Sequence, residues 1–243
     1  MFVFIRLLLA HFIGDFPLQF NKIYNLKHKG LIGILPHALI IMGCLIILSW
    51  PYLNLPGIWG FILFVGIIHF FQDSIKIGYK GVKFSFWLYM LDQFFHIALI
   101  AMVLLTDLKN LPPPQKPGGF IVPLYNNNLL VIYLIAVIFA TYNGYFMIRN
   151  LKNTILGRVC SCSTTEKWYG MFERAALVSI FLLDRYLFLF ISGVLLLRPL
   201  IFIFGRKRLA LHENFIAGSE AILSWLVAII TGLFLFIIKR KLI

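Results

Sequence analysis

The sequence predicts an all-α protein, a polytopic bundle of transmembrane helices. Hydrophobic residues make up 61% of the 243 positions and charged residues only 13%, and the mean hydropathy is +0.92. A soluble domain is about half apolar and about a quarter charged. Apolar runs of about 20 residues, the length that crosses a bilayer, also recur along the whole chain. The composition and the recurring runs together indicate an integral membrane protein.

The apolar runs predict about eight spans. The first run has no small-residue cleavage site and carries His11 and Asp15, so we expect a retained helix and not a signal peptide. The long run 168–204 is interrupted by Asp184 and Arg185, which divide it into a hairpin of two shorter helices. The expected helices lie near 2–19, 31–50, 57–78, 84–106 and 128–148, as a pair within 168–204, and near 215–238.

Three regions follow from this order of helices. We expect residues 1–106 to form a four-helix unit made of a duplicated helical hairpin, and residues 128–243 to form a second transmembrane half. Between them, 107–127 contains three prolines at 112–114 and a Pro-Gly-Gly run at 117–119. Such runs cannot be helical, so we expect a linker. The orientation that the basic residues predict places this linker outside the cytoplasm.

The distribution of basic residues predicts the orientation. The net charge is +13, but Lys and Arg fall almost entirely in the short loops, so we do not expect nucleic-acid binding. The odd-numbered loops carry most of them, which places those loops in the cytoplasm and the N-terminus outside. Lys239, Arg240 and Lys241 conflict with this orientation, because they would lie outside. Membrane lipids are the expected partners, and the oligomeric state stays open.

Seven ionisable side chains stand within the first four predicted spans. The pattern HxxxD occurs twice, and each copy is followed by a basic loop and a further histidine in the next span. All of them lie toward the predicted cytoplasmic ends, most about 8–18 Å from that boundary at about 1.5 Å of rise per residue. We therefore expect them to meet in one layer. The seven residues are His11, Asp15, His37, His69, Asp73, Asp92 and His96.

The spacing within this set indicates a duplication with two ligands on each helix face. The i, i+4 spacing of HxxxD stacks both side chains on one face of a helix. His11 precedes His37 by about the same interval as His69 precedes His96, and HALIIM is echoed by HIALIAM. We interpret the four spans as a tandem repeat of one helical hairpin.

Two interpretations of the predicted layer stay open. All seven residues are candidate metal ligands, and nitrogen and carboxylate ligands suit Zn, Mn or Fe better than a soft copper site. Seven exceed the four ligands of a closed zinc site, which favours two ions, or one ion with surrounding hydrogen-bonding residues. Asp15, Asp73 and Asp92 are the candidate catalytic residues, since a carboxylate left over from metal binding can act as general base. The alternative is a metal-free polar or proton-relay network between helices.

Other polar residues near the predicted layer are also ambiguous. Gln19, Gln72 and Gln93 either orient ligands or water, or form hydrogen bonds between helices. Lys76, one turn beyond Asp73, either meets an anionic headgroup or extends to the membrane boundary as an ordinary lysine.

Charged residues of the second half leave a similar choice. Glu173 and Glu213 either supply further carboxylates to the site or pair with Arg174 and Arg198. We expect ion pairs, because unpaired charges in lipid are costly.

The opening motif resembles that of an uncharacterised bacterial membrane-protein family, the domain of unknown function 3307. The resemblance rests on LLLAHFIGDFPLQ, with His11, Asp15 and Gln19, and on HFFQD at 69–73 and DQFFH at 92–96. It continues into the second half through GMFERA, Arg198 and ENFIAGS, although Val194 and Leu195 stand where the family has lysine and serine. The family implies a multi-pass protein of the bacterial inner membrane but has no assigned activity. The histidine–aspartate pattern is also similar, more distantly, to membrane-bound metal-dependent hydrolases.

These observations lead to one expected function and two alternatives. We expect a metal-dependent hydrolase that acts on a lipid or lipid-linked phosphate at the cytoplasmic leaflet. A metal-ion or proton transporter would use the same residues as a relay, but it needs polar residues through to the other leaflet, where the first four spans are apolar. A non-catalytic membrane scaffold is the third possibility.

Overall fold

The computed structural model of the chain is all-α, as the composition predicts. It describes residues 1–27, 29–77, 82–115, 120–160, 164–182 and 211–242, and no strand occurs among them. Side chains are described in these ranges except at 164–166, 211–219 and 242. The predicted break at Asp184 and Arg185 therefore lies outside the described residues, as does Arg198.

Ten α-helices carry the described fold. Short 3₁₀ turns cover Trp50–Tyr52, Met102–Leu105 and Asp107–Asn110, and a π-helical turn, Phe139–Asn143, joins α7 to α8. The helices are α1 Phe2–Asp15, α2 Asn21–Lys27, α3 Leu31–Leu48, α4 Pro56–Ile77, α5 Ser85–Ala101, α6 Ile121–Asn126, α7 Asn128–Ile138, α8 Gly144–Leu156, α9 Thr164–Ile180 and α10 Leu211–Leu242.

Five helical segments are long and apolar enough to cross a membrane. Among the described residues, α1 and α9 have 14 and 17 residues and fall short of these in length. The predicted total of eight spans therefore stays a prediction. The five segments are Leu31–Leu48, Pro56–Ile77, Ser85–Leu105, Asn128–Leu156 and Glu220–Lys241.

The first helix is shorter than the predicted run 2–19. It ends at Asp15 because Pro17 follows and restricts the residue before it. The chain then turns and forms α2, a short helix that packs on α3. The sequence shows only a basic loop here, so the helix that carries Lys27 is a feature of the structure.

Two glycines join α2 to α3. Gly30 has φ +110°, a left-handed conformation that glycine adopts without strain. At Gly33, an added Cβ would collide with the backbone carbonyl group of Leu26. The end of α2 is thereby held directly against the first turn of α3, one turn before His37.

The helices α1, α3, α4 and α5 pack around a common apolar core. Helix α3 packs between α1 and α4, α5 packs on α4, and α1 also contacts α5. The buried core lies at the end of this bundle remote from α2, and residues such as Leu7, Leu45, Ile62 and Ile100 are fully buried there. This core closes the bundle on the side opposite to the loop between α2 and α3.

A second apolar core involves α7, α9 and α10. Ala140, Val178, Ala228 and Leu235 are fully buried in it. The carbonyl groups of the π-helical turn are held by Arg174 of α9, which donates from Nε to Ala140 O at 2.7 Å and from Nη2 to Thr141 O at 3.1 Å. A π-helical turn shifts the hydrogen-bond register, so Arg174 binds backbone acceptors at this irregularity.

The region between the two cores is anchored to the first bundle. The prolines at 112–114 are non-helical, as expected, although helical turns stand on both sides at 107–110 and 121–126; residues 116–119 lie outside the described residues. Tyr52 Oη donates to Pro112 O at 2.6 Å, and Tyr125 Oη donates to Leu48 O at 2.9 Å. Burial raises the pKa of Tyr125, which keeps the hydroxyl protonated as a donor.

Arg6 connects α1 to the start of α7. Its guanidinium donates to Tyr125 O at 2.5 Å and to Asn128 Oδ1 at 2.6 Å, and it lies 3.4 Å from the centroid of the Phe2 ring. The two halves are therefore in contact through buried polar groups. The proposed division of the chain after 106 and before 128 stays a prediction.

Candidate metal centre

Five of the seven predicted residues come together in one buried cluster, the donor cluster. It draws one or two residues from each of α1, α3, α4 and α5, and each residue is at most 6% exposed. Within it, two groups of three have one ligand atom of each residue within 4.8 Å of the others. The first group is Asp15, His37 and His69, and the second group is His69, Asp73 and His96.

The first group is arranged around the Nε2 atom of His37. That atom lies 3.2 Å from Asp15 Oδ1 and 3.2 Å from His69 Nε2. The two imidazoles thus point the same nitrogen toward each other, and the Nδ1 atoms of His37 and His69 find no partner among the described residues. Two imidazole nitrogens and a carboxylate oxygen converge on one small space.

The second group is arranged around the Oδ2 atom of Asp73. This oxygen lies 3.4 Å from His69 Nε2 and 3.6 Å from His37 Nε2. The i, i+4 spacing of His69 and Asp73 on α4 brings their side chains to one face, as the sequence pattern predicts. The same oxygen also forms an ion pair of 2.5 Å with Lys27 Nζ.

His96 completes the second group from α5. Its Nδ1 lies 2.8 Å from the backbone oxygen of Asp92. A carbonyl oxygen only accepts, so Nδ1 carries the proton and Nε2 keeps its lone pair. This is the arrangement by which a backbone carbonyl orients a metal-binding histidine. The rings of His69 and His96 stand 4.4 Å apart, edge to face.

His11 stands beside both groups without belonging to either. Its ring centroid is 5.4 Å from that of His69 and 5.3 Å from that of His96. It is 1% exposed, and neither of its nitrogens finds a hydrogen-bond partner among the described residues. Buried polar atoms without a partner are rare in proteins, so the ring of His11 is available to bind a water, an ion or a ligand.

Asp92, the seventh predicted residue, lies at the edge of the donor cluster. Its Oδ2 forms an ion pair of 2.5 Å with Lys76 Nζ and accepts from Gln93 Nε2 at 3.2 Å. It belongs to neither group, and its closest tie to the cluster is the backbone bond to His96. The lysine–aspartate pair marks the side on which the cluster approaches the surface, since the Lys76 side chain is 41% exposed.

The three glutamines have three different environments. In the amide orientation that satisfies both of its ends, Gln19 donates to Asp15 O at 3.1 Å and accepts from Lys27 Nζ at 3.2 Å. Gln93 accepts from Asn143 Nδ2 at 3.2 Å and so connects α5 to the π-helical turn. Gln72 Oε1 is buried and has no partner among the described residues.

Lys27 is the residue that the sequence pattern does not reveal. It belongs to a basic loop by composition, yet it is 6% exposed and its ammonium group contacts Asp73. Charge balance is the signal that would find it, because carboxylates within spans need nearby cations. The sequence does not say which lysine supplies that charge.

The charged residues of the second half form a separate polar network. Glu173 accepts from Trp225 Nε1 at 3.2 Å, and Arg174 donates to Ser224 Oγ at 2.9 Å. Neither belongs to the two groups. Arg198 lies outside the described residues, as does the side chain of Glu213, so their predicted ion pairs stay predictions.

The fold and the buried cluster define a class: a helical membrane protein with a histidine–aspartate cluster between its first four long helices. Residues 3–113 match the model of a family described as Protein of unknown function (DUF3307). This match confirms the resemblance expected from the opening motif, and it covers every residue of the donor cluster together with Lys27 and Lys76. No curated protein and no solved structure matches the chain.

Proposed function

We propose that the protein is a membrane-embedded, metal-dependent hydrolase of a lipid or lipid-linked phosphate. The proposal rests on the donor cluster. Its five buried histidines and aspartates come from four helices and form two groups that share His69. Imidazole nitrogen and carboxylate oxygen suit Zn, Mn or Fe. Ionisable groups are costly within a bilayer, and they usually mark functional sites there.

Unpartnered nitrogens support a bound ion over a closed hydrogen-bond network. Both nitrogens of the buried His11 have no partner among the described residues. A network that served only to hold helices together would satisfy its buried groups. The Nε2 atoms of His37 and His69 instead meet 3.2 Å apart, an arrangement that an ion between them would satisfy.

The chemistry that follows is the hydrolysis of a phosphate ester. A bound divalent ion polarises a phosphoryl oxygen and makes water a stronger nucleophile near neutral pH. The water oxygen forms a bond to phosphorus, the ester P–O bond breaks, and the leaving alcohol takes up the proton that the water loses. Asp15, His37 and His69 would hold the ion, and His11 would either add a ligand or accept the proton of the water before it passes to the alcohol.

The surroundings of the cluster support a lipid-phase anion as substrate. Lys76 stands at the exposed edge of the cluster and brings a positive charge to that edge. Several apolar side chains of α4 and α5 near Lys76 and Asp92 in the sequence are more than half exposed, among them Phe71, Ile75, Leu91 and Phe95. An alkyl chain in the bilayer and an anionic phosphate at its end would meet both features.

A proton or metal-ion transporter is the second candidate, and one observation favours it. Asp15, His37 and His69 form a continuous chain of contacts of 3.2 Å each, which is how a proton relay is built. The buried apolar core of the first bundle closes the path to the opposite end of these helices. We therefore place the hydrolase first.

The experiment is metal analysis combined with a phosphatase assay on protein purified in detergent without chelator. We expect bound metal in the wild type and release of inorganic phosphate from a long-chain alkyl phosphate in mixed micelles. His69→Ala removes the ligand that both groups share, so it abolishes most of the metal and the activity. Asp107→Ala is the matched control, because it removes an exposed carboxylate that belongs to neither group, and it leaves both values unchanged.

A second pair of variants distinguishes a proposed metal ligand from a residue at the edge of the donor cluster. Asp15→Asn weakens metal binding because Asp15 belongs to the first group, whereas Asp92→Asn leaves the metal content near that of the wild type. Wild-type protein that is folded but free of metal contradicts the proposal. Bound metal without phosphate release, together with metal uptake into vesicles containing the protein, favours the transporter.

A further inference from the structure

The two groups of the donor cluster differ in what balances their carboxylates. In the first group, Asp15 Oδ1 faces His37, and no lysine forms an ion pair with it among the described residues. In the second group, Asp73 already carries a cation, because Lys27 Nζ lies 2.5 Å from its Oδ2 atom. One half of the cluster thus has a built-in positive charge and the other half does not.

The local backbone fixes the position of Lys27 beside α3. It is the last residue of α2, and the Gly30 turn and the close approach at Gly33 fix the end of α2 against α3. Its side chain is 8% exposed, and in the amide orientation of Gln19 given above its ammonium group donates to Gln19 Oε1 at 3.2 Å. Burying a lysine is costly unless its charge is paired, as it is here with Asp73.

The oxygen that Lys27 contacts is the one that a metal would need. Asp73 Oδ2 is also the atom that lies 3.4 Å from His69 Nε2 and 3.6 Å from His37 Nε2. The ammonium group therefore contacts the carboxylate oxygen that faces the imidazoles. A second metal ion would bind to this same oxygen. Two cations cannot share that position, because they repel strongly in a buried site.

We propose that Lys27 takes the place of the second cation, so that the site holds one divalent ion and one ammonium group. The ion binds the first group, Asp15, His37 and His69, and Lys27 occupies the second group at Asp73. This inference rests on the metal centre proposed above and specifies its composition. It replaces the two-ion centre that seven candidate ligands suggest.

The ammonium group then has a defined task in the hydrolysis. In two-metal sites, the ions stabilise the attacking and the leaving oxygens together. Here the single ion would activate the attacking water, and Lys27 would balance charge on the phosphoryl oxygens while the ester P–O bond breaks. Lysine is suited to this as a point charge for phosphate.

Lys76, the other lysine near the cluster, differs from Lys27 in its exposure. Lys76 also contacts an aspartate at 2.5 Å, but its side chain is 41% exposed and its partner, Asp92, belongs to neither group. That pair resembles an ordinary boundary contact. Lys27 is the one lysine paired within the two groups among the described residues.

The test counts metal ions per chain in variants of Lys27. Detergent-purified protein is stripped with chelator, reloaded with Zn²⁺ or Mn²⁺, desalted and analysed for bound metal, and its melting temperature is measured with and without metal. We expect about one ion in the wild type and in Lys27→Arg, and about two ions in Lys27→Met. Lys22→Met is the matched control, since Lys22 is an exposed lysine of the same short helix, and it keeps about one ion.

A double variant covers the case in which Lys27→Met does not fold. Lys27→Met/Asp73→Asn removes both charges of the pair, so no carboxylate is left unbalanced, and we expect about one ion. Lys27→Met that folds only when metal is added also supports the proposal, because the ion then replaces the missing ammonium group.

The outcomes separate this inference from the metal centre itself. One ion in both the wild type and Lys27→Met overturns the role of Lys27 and leaves the metal centre standing, as do two ions in both. No ion in any folded variant overturns the metal centre and this inference with it.

Discussion

At the scale of single residues, the first bundle has to balance the charges of three aspartates within its helices. Asp15, Asp73 and Asp92 place three carboxylates inside helices, and Lys27 and Lys76 supply two ammonium groups against them. Among the described residues, Asp15 has no lysine or arginine in contact, so the excess negative charge falls in the first group. Since such charges are costly in a bilayer, this excess favours a bound cation at Asp15.

The position of Lys27 depends on one small residue. Gly33→Ala introduces a Cβ that collides with the backbone of Leu26, so α2 must move away from α3. We expect a loss of about 1–3 kcal/mol in stability, the usual effect of overpacking, seen as a melting temperature lower by several degrees. Displacing α2 also withdraws Lys27 from Asp73, which makes the melting temperature more dependent on added metal.

Gly43→Ala is the control for this substitution. Gly43 lies in the same helix, and an added Cβ there meets nothing within 4 Å. Alanine favours a helix over glycine by up to about 1 kcal/mol, so the control should melt at the wild-type temperature or above. Equal melting temperatures for the two variants would show that the α2–α3 contact is not tight.

At the scale of elements, the π-helical turn connects the second half to the donor cluster. Arg174 binds the carbonyl groups of Ala140 and Thr141 on one side of the turn. On the other side, Asn143 donates to Gln93, whose amide in turn donates to Asp92. The polar residues of the second half thus reach the edge of the site through one irregular helical turn.

Loss of the arginine should destabilise this turn. Arg174→Met leaves two buried carbonyl groups without their donor, and each such loss costs about 1–3 kcal/mol. We therefore expect a melting temperature lower by several degrees in detergent. Metal content should change little, because Arg174 belongs to neither group of the cluster.

Lys152→Met provides the comparison. It removes the ion pair with Glu220 at a partly exposed position, and such pairs contribute about 0–1 kcal/mol. If Lys152→Met lowered the melting temperature as much as Arg174→Met, any substitution in this half would have the same effect. The result would then not show that the π-helical turn needs Arg174.

At the scale of the whole molecule, the first bundle has one polar and one apolar end. The donor cluster and both lysines lie toward α2, and the buried core closes the opposite end. A site whose polar groups all lie toward one end of a bundle suits chemistry on a molecule that enters and leaves by the same route. A transporter needs a second opening, which the apolar core does not provide.

Accessibility to a membrane-impermeant thiol reagent tests the orientation. In a background with Cys44, Cys160 and Cys162 replaced by serine, Lys22→Cys and Lys83→Cys should react only from the cytoplasmic side. Asn54→Cys, exposed at the other end of the bundle, should react only from outside. The positive-inside distribution is the physical reason. Reaction of Lys22→Cys and Asn54→Cys from the same side would contradict a bundle that crosses the membrane between them.

The sequence by itself determined the class of fold and predicted the histidines and aspartates of the donor cluster, but not Lys27. Apolar runs of span length require helices in a bilayer, because only internal hydrogen bonds satisfy the backbone there. Helical periodicity then brought His69 and Asp73 to one face, and five of the seven predicted residues do meet.

Only the tertiary structure decided how charge is distributed within the site. The position of Lys27 depends on a short helix and a glycine contact that join distant parts of the chain, and no local pattern encodes such a contact. The separation of Asp92 from the two groups depends likewise on Lys76, which stands one turn beyond Asp73. Local periodicity places side chains on helix faces, but the packing of the helices determines which opposite charges come within contact distance.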